Sequence, residues 1–342
     1  MPRPLLFSFS LLLFYSSTLL LSTAAHAAVG THTSYGHNLP YFFCQATSGL
    51  PVTILISLTD DKPSMIDKRD CYKGASHLII RVMGLTPYIK DDVLLPAALN
   101  LRDVFDPIAS KTYIVFGNEV NVIDSVEYQC VSSLADCARS YATQFLHFYD
   151  FIGGHFPVGA APLNLSHPTY DAAAFLSAAA SAYNQANFYA SNSYQEGGCP
   201  GGYDPIRCTK DSWQWYGQQL GDKANPPILT EFNISPGLNP TLTQVLDFLA
   251  TQAPSGLAVT PLVKNTCSNI RDPNGNQWDW LIYIRGQLYD PDGNYVDPNS
   301  CTTSTPPTSA LYRDPRQNGF PDPLMFSPAN LNAPCDAVVP DI

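Results

Sequence analysis

Charged residues make up only 14 % of this 342-residue chain, and 18 Lys and Arg against 29 Asp and Glu leave a formal net charge of −11. No Lys/Arg cluster occurs anywhere, so a polyanionic partner such as nucleic acid is disfavoured. A G-x-S-x-G elbow, a Gly-rich nucleotide loop and an H-E-x-x-H helix are all missing. Their absence removes serine esterases of the usual kind, nucleotide enzymes and zinc proteases of that class. There is no C-x-x-C pair and no His cluster beside a Cys pair, so a zinc site is not expected, and no cofactor is called for. After the N-terminal segment no apolar run is long enough to span a bilayer.

That N-terminal segment is itself informative. Residues 1–27 carry Arg3 as their only charge, an apolar stretch from Leu5 to about Leu21, and Ala25-His26-Ala27 before Ala28. This reads as a secretory signal with a small-residue cleavage site, the alternative being a retained anchor. The expected product is a secreted monomer, extracellular or periplasmic, free of the membrane once the signal is removed. Cleavage after Ala27 leaves 342 − 27 = 315 residues, which suits one large α/β barrel better than two small domains. All nine cysteines follow the signal, in a compartment where disulfides persist. Spacing pairs Cys130 with Cys137 and Cys199 with Cys208, and less directly Cys44 with Cys71 and Cys267 with Cys301. The odd count leaves one thiol unexplained.

Apolar runs and amphipathic stretches alternate along the chain. Eight strands are expected, at Val29 to Thr33, Val52 to Leu58, His77 to Val82, Thr112 to Phe116, Pro157 to Ala161, Phe188 to Ser191, Ile228 to Thr230 and Leu257 to Leu262. Helical composition lies between them, at Leu94 to Ile108, Leu134 to Phe151, Tyr170 to Ala186, Ser212 to Leu220 and Leu242 to Gln252. Strand-helix alternation implies a parallel sheet, and eight such strands point to a (β/α)8 TIM barrel over residues 28–300, with an open doubly wound sheet as the alternative. After about Asn265 the pattern changes. Two turn sequences, Asp272-Pro-Asn-Gly-Asn and Asp290-Pro-Asp-Gly-Asn, flank Leu281 to Tyr289, which could be strand or a last helical turn. Residues 301–342 form an irregular C-terminal extension rich in Pro, Ser and Thr, expected to pack on the barrel or to be partly disordered.

Two of the apolar strands end in a glutamate: Tyr113-Ile-Val-Phe-Gly-Asn-Glu119 and Pro227-Ile-Leu-Thr-Glu231-Phe-Asn, 231 − 119 = 112 residues apart. In a barrel of parallel strands the chemistry gathers at the carboxyl ends, so both are catalytic candidates. Cleavage of a glycosidic bond with retention needs one carboxylic acid to protonate the leaving oxygen and a second carboxylate about 5 to 5.5 Å away to attack the anomeric carbon. With few charges, 12 % aromatic residues and 19 Tyr, the surface suits a neutral partner that stacks on rings and bonds to hydroxyls, such as an oligo- or polysaccharide.

Gly117-Asn118-Glu119 after a fourth strand and Thr230-Glu231-Phe232 after a seventh resemble the acid/base and nucleophile motifs of the clan A glycoside hydrolases, which are retaining (β/α)8 enzymes. The resemblance implies that Glu119 is the general acid/base, that Glu231 is the nucleophile, and that Asn118 bonds the substrate 2-hydroxyl. It asks for Glu119 in an apolar site and Glu231 beside hydrogen-bond donors. Arg81, in Leu78-Ile-Ile-Arg-Val-Met, resembles the arginine such enzymes place near the nucleophile. Tyr194 resembles the tyrosine that donates to it, with Asn192 fitting that position almost as well. The usual tryptophan at the end of the eighth strand is missing, since Leu257 to Asn265 contains none. Either Trp278 or Trp280 fills that place from the following loop, or the sugar subsite differs.

The implied activity is hydrolysis of a β-linked glycan through a covalent intermediate; the rival is a secreted carbohydrate-binding or structural protein that kept the barrel and lost turnover. Four smaller expectations remain. The stretch Gln195 to Asp211 shapes the cleft, and Trp213 and Trp215 pack in the core or stack on sugar. Asp290 to Asp297 is a hairpin turn rather than a calcium loop. Asn164-Leu-Ser166 and Asn233-Ile-Ser235 are glycosylation sequons if the host is eukaryotic, the second too near Glu231 to serve as an acceptor.

Overall fold

A computed structural model describes residues 28–33, 41–86, 89–122, 128, 130, 132–165, 170–195, 212–221, 228–234, 240–253 and 256–302. The expected signal, the proposed Cys199–Cys208 pair and most of Gln195 to Asp211 lie outside these residues, as does the extension beyond residue 302.

Nine parallel strands form one sheet in the order β1-β9-β8-β7-β6-β5-β4-β3-β2. They are β1 (Ala28–Val29), β2 (Thr31–His32), β3 (Pro51–Ser57), β4 (His77–Met83), β5 (Thr112–Phe116), β6 (Val158–Ala160), β7 (Phe188–Gln195), β8 (Ile228–Ile234) and β9 (Ala258–Pro261). The two edges of that order are halves of one chain segment. β1 pairs with β9 and β2 with β3, so a single first strand, interrupted only at Gly30, joins the last strand to the second and closes an eight-stranded barrel. The fold is a (β/α)8 barrel. Closure is reinforced inside, where the Thr53 and Thr260 hydroxyls meet at 2.8 Å.

The central strands are buried on both faces because both are covered. Inside, Ile79, Val115, Phe188, Ala190, Ile228 and Ala258 fill the lower barrel, packed by Tyr113. Outside, Ile80, Val82, Ile114, Phe116 and Val158 meet the helices. α3 (Asp91–Phe105), α4 (Leu134–Ile152), α7 (Ser212–Leu220) and α8 (Leu242–Gln252) fall where the apolar spacing placed helices, and the Ala-rich stretch forms two, α5 (Ala172–Ala178) and α6 (Ala180–Gln185). α4 shows the logic. Ser133 caps its first turn by accepting from the Asp136 amide, and Ala138, Tyr141, Phe145, Phe148 and Ile152 recur at three- and four-residue intervals on the buried face. Two helices had no such signal. α1 (Tyr41–Ala46) is short, and α2 (Lys62–Tyr72) buries only Met65 and Tyr72, although Asp61 caps it and Pro63 sits in its first turn.

The eighth strand is followed by no helix among the described residues. Its place is taken by an antiparallel sheet of β10 (Val263–Lys264), β11 (Trp280–Ile284), β12 (Gln287–Tyr289) and β13 (Tyr295–Val296). β11 replaces a helix because both its faces are apolar: Leu281 and Tyr283 join the cluster around Phe248 of α8, while Ile282 and Ile284 pack on Phe43 of α1. Asp290 to Val296 is a hairpin, with the Gly293 amide bonded to the Asp290 carbonyl at 3.0 Å and Asn294 to the Asp290 carboxylate. Three expected disulfides form: Cys44–Cys71 ties α1 to α2, Cys130–Cys137 anchors the chain to α4, and Cys267–Cys301 fastens the small sheet. Among the described residues no helix is long and apolar enough to cross a membrane.

Barrel closure depends on Gly30, because a Cβ there would lie 1.7 Å from the Pro51 carbonyl oxygen. Gly30→Ala is expected to cost about 3 kcal/mol or more in urea denaturation. Gly49→Ala, at φ +79° with open space around the added carbon, should cost only about 1 kcal/mol. Equal losses in the two variants would contradict the steric account of closure.

Candidate active site

The upper barrel is polar where the lower barrel is apolar. Arg81 follows Ile79 on the inner face of β4, and its side chain is 2 % exposed. A buried cation is costly unless paired, and Arg81 Nη1 donates to Glu231 Oε1 at 2.6 Å. It also donates to His32 Nε2 at 2.8 Å. Since a guanidinium has no lone pair to offer, His32 must accept, so its ring is neutral with the proton on Nδ1. Burial, and then the charge of Arg81, hold the His32 pKa well below its ordinary 6.5.

Glu231 owes its direction to a bulge in β8. Against β7, Ser191 and Asn192 face Leu229 and Glu231; against β9, Leu229 and Phe232 face Val259 and Pro261. On both sides β8 spends one residue more than its neighbour. Thr230 and Glu231 therefore both turn inward, while Leu229 and Phe232 stay in the outer cluster. The second oxygen of Glu231, Oε2, accepts from the Tyr194 hydroxyl at 2.5 Å. Tyr194 lies within β7, which runs four residues beyond its expected end at Ser191, to Gln195.

Glu119 is presented by a turn rather than by a strand. Gly117 has φ +94° and Glu119 φ +40°, the left-handed region where a glutamate is strained. Three buried tyrosines hold the ground beneath this turn. Tyr141 OH donates to the Phe116 carbonyl at 2.9 Å and accepts from the Ala161 amide at 2.7 Å; Tyr183 OH donates to the Ala161 carbonyl at 2.8 Å; Tyr216 OH accepts from the Leu163 amide. Burial pushes all three phenols far up.

The carboxyl group of Glu119 is met by two carboxamides: Asn192 Nδ2 donates to Oε1 at 3.0 Å and Asn164 Nδ2 to Oε2 at 3.1 Å. The expectation of an apolar setting is corrected here, since the polar ends of β6 and β7 converge on this group. Asn192 Nδ2 also donates to Asn118 Oδ1 at 3.1 Å, so Asn118, Glu119 and Asn192 form one cluster. Asn192 faces Glu231 in the strand register, which brings the two glutamates to one rim. They are 8 % and 7 % exposed, accessible yet largely dehydrated. Of the two residues considered for the bond to Glu231, Tyr194 makes it, and Asn192 donates to Glu119.

Trp280 sits on β11 opposite Lys264, three residues past the end of β9, with the ammonium 4.8 Å from its ring centre. Trp215 is core, edge-on to Tyr216; the side chain of Trp213 lies outside the described residues. Among the described residues no group of three His, Cys, Asp or Glu side chains could hold a metal.

Asn164 and Thr230 are the partners that sequence reasoning missed in these roles. Asn164 was legible only as a sequon. Its amide is buried against Glu119, and its backbone is clamped by Asn121, whose Nδ2 donates to the Asn164 carbonyl and whose Oδ1 accepts from the Asn164 amide, both at 2.8 Å. Asn233 is likewise buried, donating to the Leu262 carbonyl at 2.9 Å.

No family model matches the chain, and no curated protein sequence matches it. Among solved structures it is similar to a β-mannanase from the blue mussel Mytilus edulis, at 12 % identity and TM-score 0.37, over 69 % of this chain and 86 % of that one. It is also similar to β-glucuronidase 2 of Bacteroides uniformis, at 10 % identity and TM-score 0.43, over 77 % of this chain and 33 % of that one. A β-1,4-mannanase from the sea hare Aplysia kurodai matches at 12 % identity and TM-score 0.36, over 69 % and 88 %.

His32 gives the site a pH signature. The unfolded chain protonates this ring below about pH 6.5 while the folded protein does not, so the stability it contributes is complete above that pH and is lost as pH falls. Between pH 7 and 5 the unfolding free energy should fall with a slope of up to about 1.4 kcal/mol per pH unit from this group. His32→Asn, which keeps an acceptor for Arg81 but does not titrate, should flatten the slope by that amount; an unchanged slope would show that His32 already protonates in the fold.

Proposed function

We propose that the protein is a secreted retaining glycoside hydrolase acting on a β-linked oligo- or polysaccharide, with Glu119 as general acid/base and Glu231 as nucleophile. The observation that carries this reading is the convergence of Glu119 and Glu231, from the fourth and seventh barrel strands, on one polar rim through Asn192. Glu119 donates its proton to the departing glycosidic oxygen as a Glu231 oxygen bonds to the anomeric carbon, giving a glycosyl ester and a free alcohol. Glu119, now a base, takes a proton from water. The hydroxide adds at the same carbon, and the ester bond breaks to return Glu231.

Arg81 and Tyr194 suit the second half of that cycle, because their bonds to the two oxygens of Glu231 favour the carboxylate that must leave. Asn118 is set to meet the 2-hydroxyl, and Trp280 is the candidate for the sugar platform that the eighth strand lacks. The three disulfides support an oxidising compartment, and with it secretion after signal cleavage. The same reading takes the catalytic domain from residue 28 to about 300 and has it act as a monomer.

The test is a panel of β-glucans, mannans, xylans and galactans. Wild type should cleave at least one, with retained anomeric configuration in the first-formed product by proton NMR. Glu231→Gln should lose more than about 10³-fold in kcat. Binding without cleavage by either protein would favour the carbohydrate-binding alternative, and equal activity in both would remove Glu231 as nucleophile.

A further inference from the structure

We propose that Thr230 is a positioning residue for Glu119, acting through the carboxamide of Asn192. The inference rests on the reading of Glu119 as acid/base and goes beyond it by assigning a task to the other residue of the β8 bulge. Thr230 Oγ1 donates to Asn192 Oδ1 at 2.9 Å, closer than the Ser191 carbonyl at 3.3 Å. The two hydrogens of Asn192 Nδ2 go to Glu119 Oε1 and Asn118 Oδ1, at 3.0 and 3.1 Å.

A primary amide can turn end over end at little cost unless its neighbours tell oxygen from nitrogen. Both targets of Nδ2 are oxygens, so a turned amide would set acceptor against acceptor at Glu119 and at Asn118. Those two oxygens fix the orientation, and Thr230 donates to the carbonyl oxygen it leaves on the opposite side, so the carboxamide is held from both ends. Thr230 is itself fixed from below: the Thr260 hydroxyl lies 3.1 Å from its carbonyl oxygen and 2.8 Å from the Thr53 hydroxyl. Thr230 and Glu231 are consecutive on the bulge, so one local distortion of β8 aims the nucleophile directly and the acid/base through a single intervening side chain. Valine would fill the same space without the proton, so packing alone does not require threonine here.

General acid help matters most when the leaving group is poor, because a good one departs without a proton. The experiment therefore compares kcat/KM, which reports the first bond cleavage, on the phenyl and the 2,4-dinitrophenyl β-glycosides of the sugar that wild type accepts. Thr230→Val should lower kcat/KM on the phenyl glycoside by about tenfold or more and on the dinitrophenyl glycoside by less than about threefold, a part of the roughly 10²- to 10⁴-fold that a general acid supplies. Thr230→Ser, which restores the hydroxyl, should return both to within about threefold of wild type. Asn192→Ala should show the same split, and Thr230→Ala, which also lacks the hydroxyl, decides the matter if Thr230→Val does not fold. Unchanged values on both substrates, or equal losses on both, would overturn the proposal while leaving the glycosidase reading intact. A wild type that cleaves no glycoside would overturn that reading and this proposal together.

Discussion

The upper half of the barrel is organised around one buried cation. Arg81 stands on a strand whose neighbouring inward residue, Ile79, belongs to an apolar plug, and it has almost no contact with water. A guanidinium in that position demands a counter-charge and acceptors within reach, and no rearrangement of the lower barrel could provide them. Glu231 and His32 meet the demand from the seventh and first strands, so the cation holds together parts of the wall that are far apart in sequence. Removing it would leave the carboxylate of Glu231 buried with the Tyr194 hydroxyl but without its counter-charge. That is why the arginine belongs as much to the architecture as to any chemistry at the rim.

The barrel is thus graded along its axis. Apolar side chains close the bottom, a belt of threonine hydroxyls from β3, β8 and β9 crosses the middle, and amides, carboxylates and phenols occupy the top. Each level restricts the one above it. The hydroxyl belt fixes the backbone of the bulge, and the bulge sets the direction of Glu231. On the other wall, three tyrosines take over backbone pairing where β5 and β6 end, which leaves the turn at Glu119 supported in a conformation its own residue disfavours.

Much of this was legible in the sequence, and the limits follow from physical causes. The strands were readable because burial on two faces leaves a continuous apolar run, and the long helices because a single buried face leaves a period. Glu119, Glu231 and Arg81 stood out as charges at the ends of such runs. α2 did not, because it buries too little to imprint a pattern. Leu281 to Tyr289 was open between strand and a last helical turn, and it is strand because Leu281 to Ile284 is apolar at every position, which suits packing on both faces and denies a helix its polar side. Asn164 and Thr230 were invisible in their present roles. Their importance lies in bonds to residues 45 and 38 positions away, and nothing in their local sequence distinguishes them from ordinary loop and strand residues.

The split first strand also has a consequence for the order in which the molecule can be built. Ala28 finds its partner Ala258 only after 258 − 28 = 230 further residues have been made, and the sheet that covers that part of the wall comes later still. A chain emerging from its N-terminus can assemble the second to seventh strands progressively, each beside the one before, while its first strand can pair on only one side. Until β9 arrives, the polar upper barrel stands open to water and Arg81 lacks its full enclosure. The site is therefore among the last parts of the protein to come into being, completed when the two ends of the barrel wall meet.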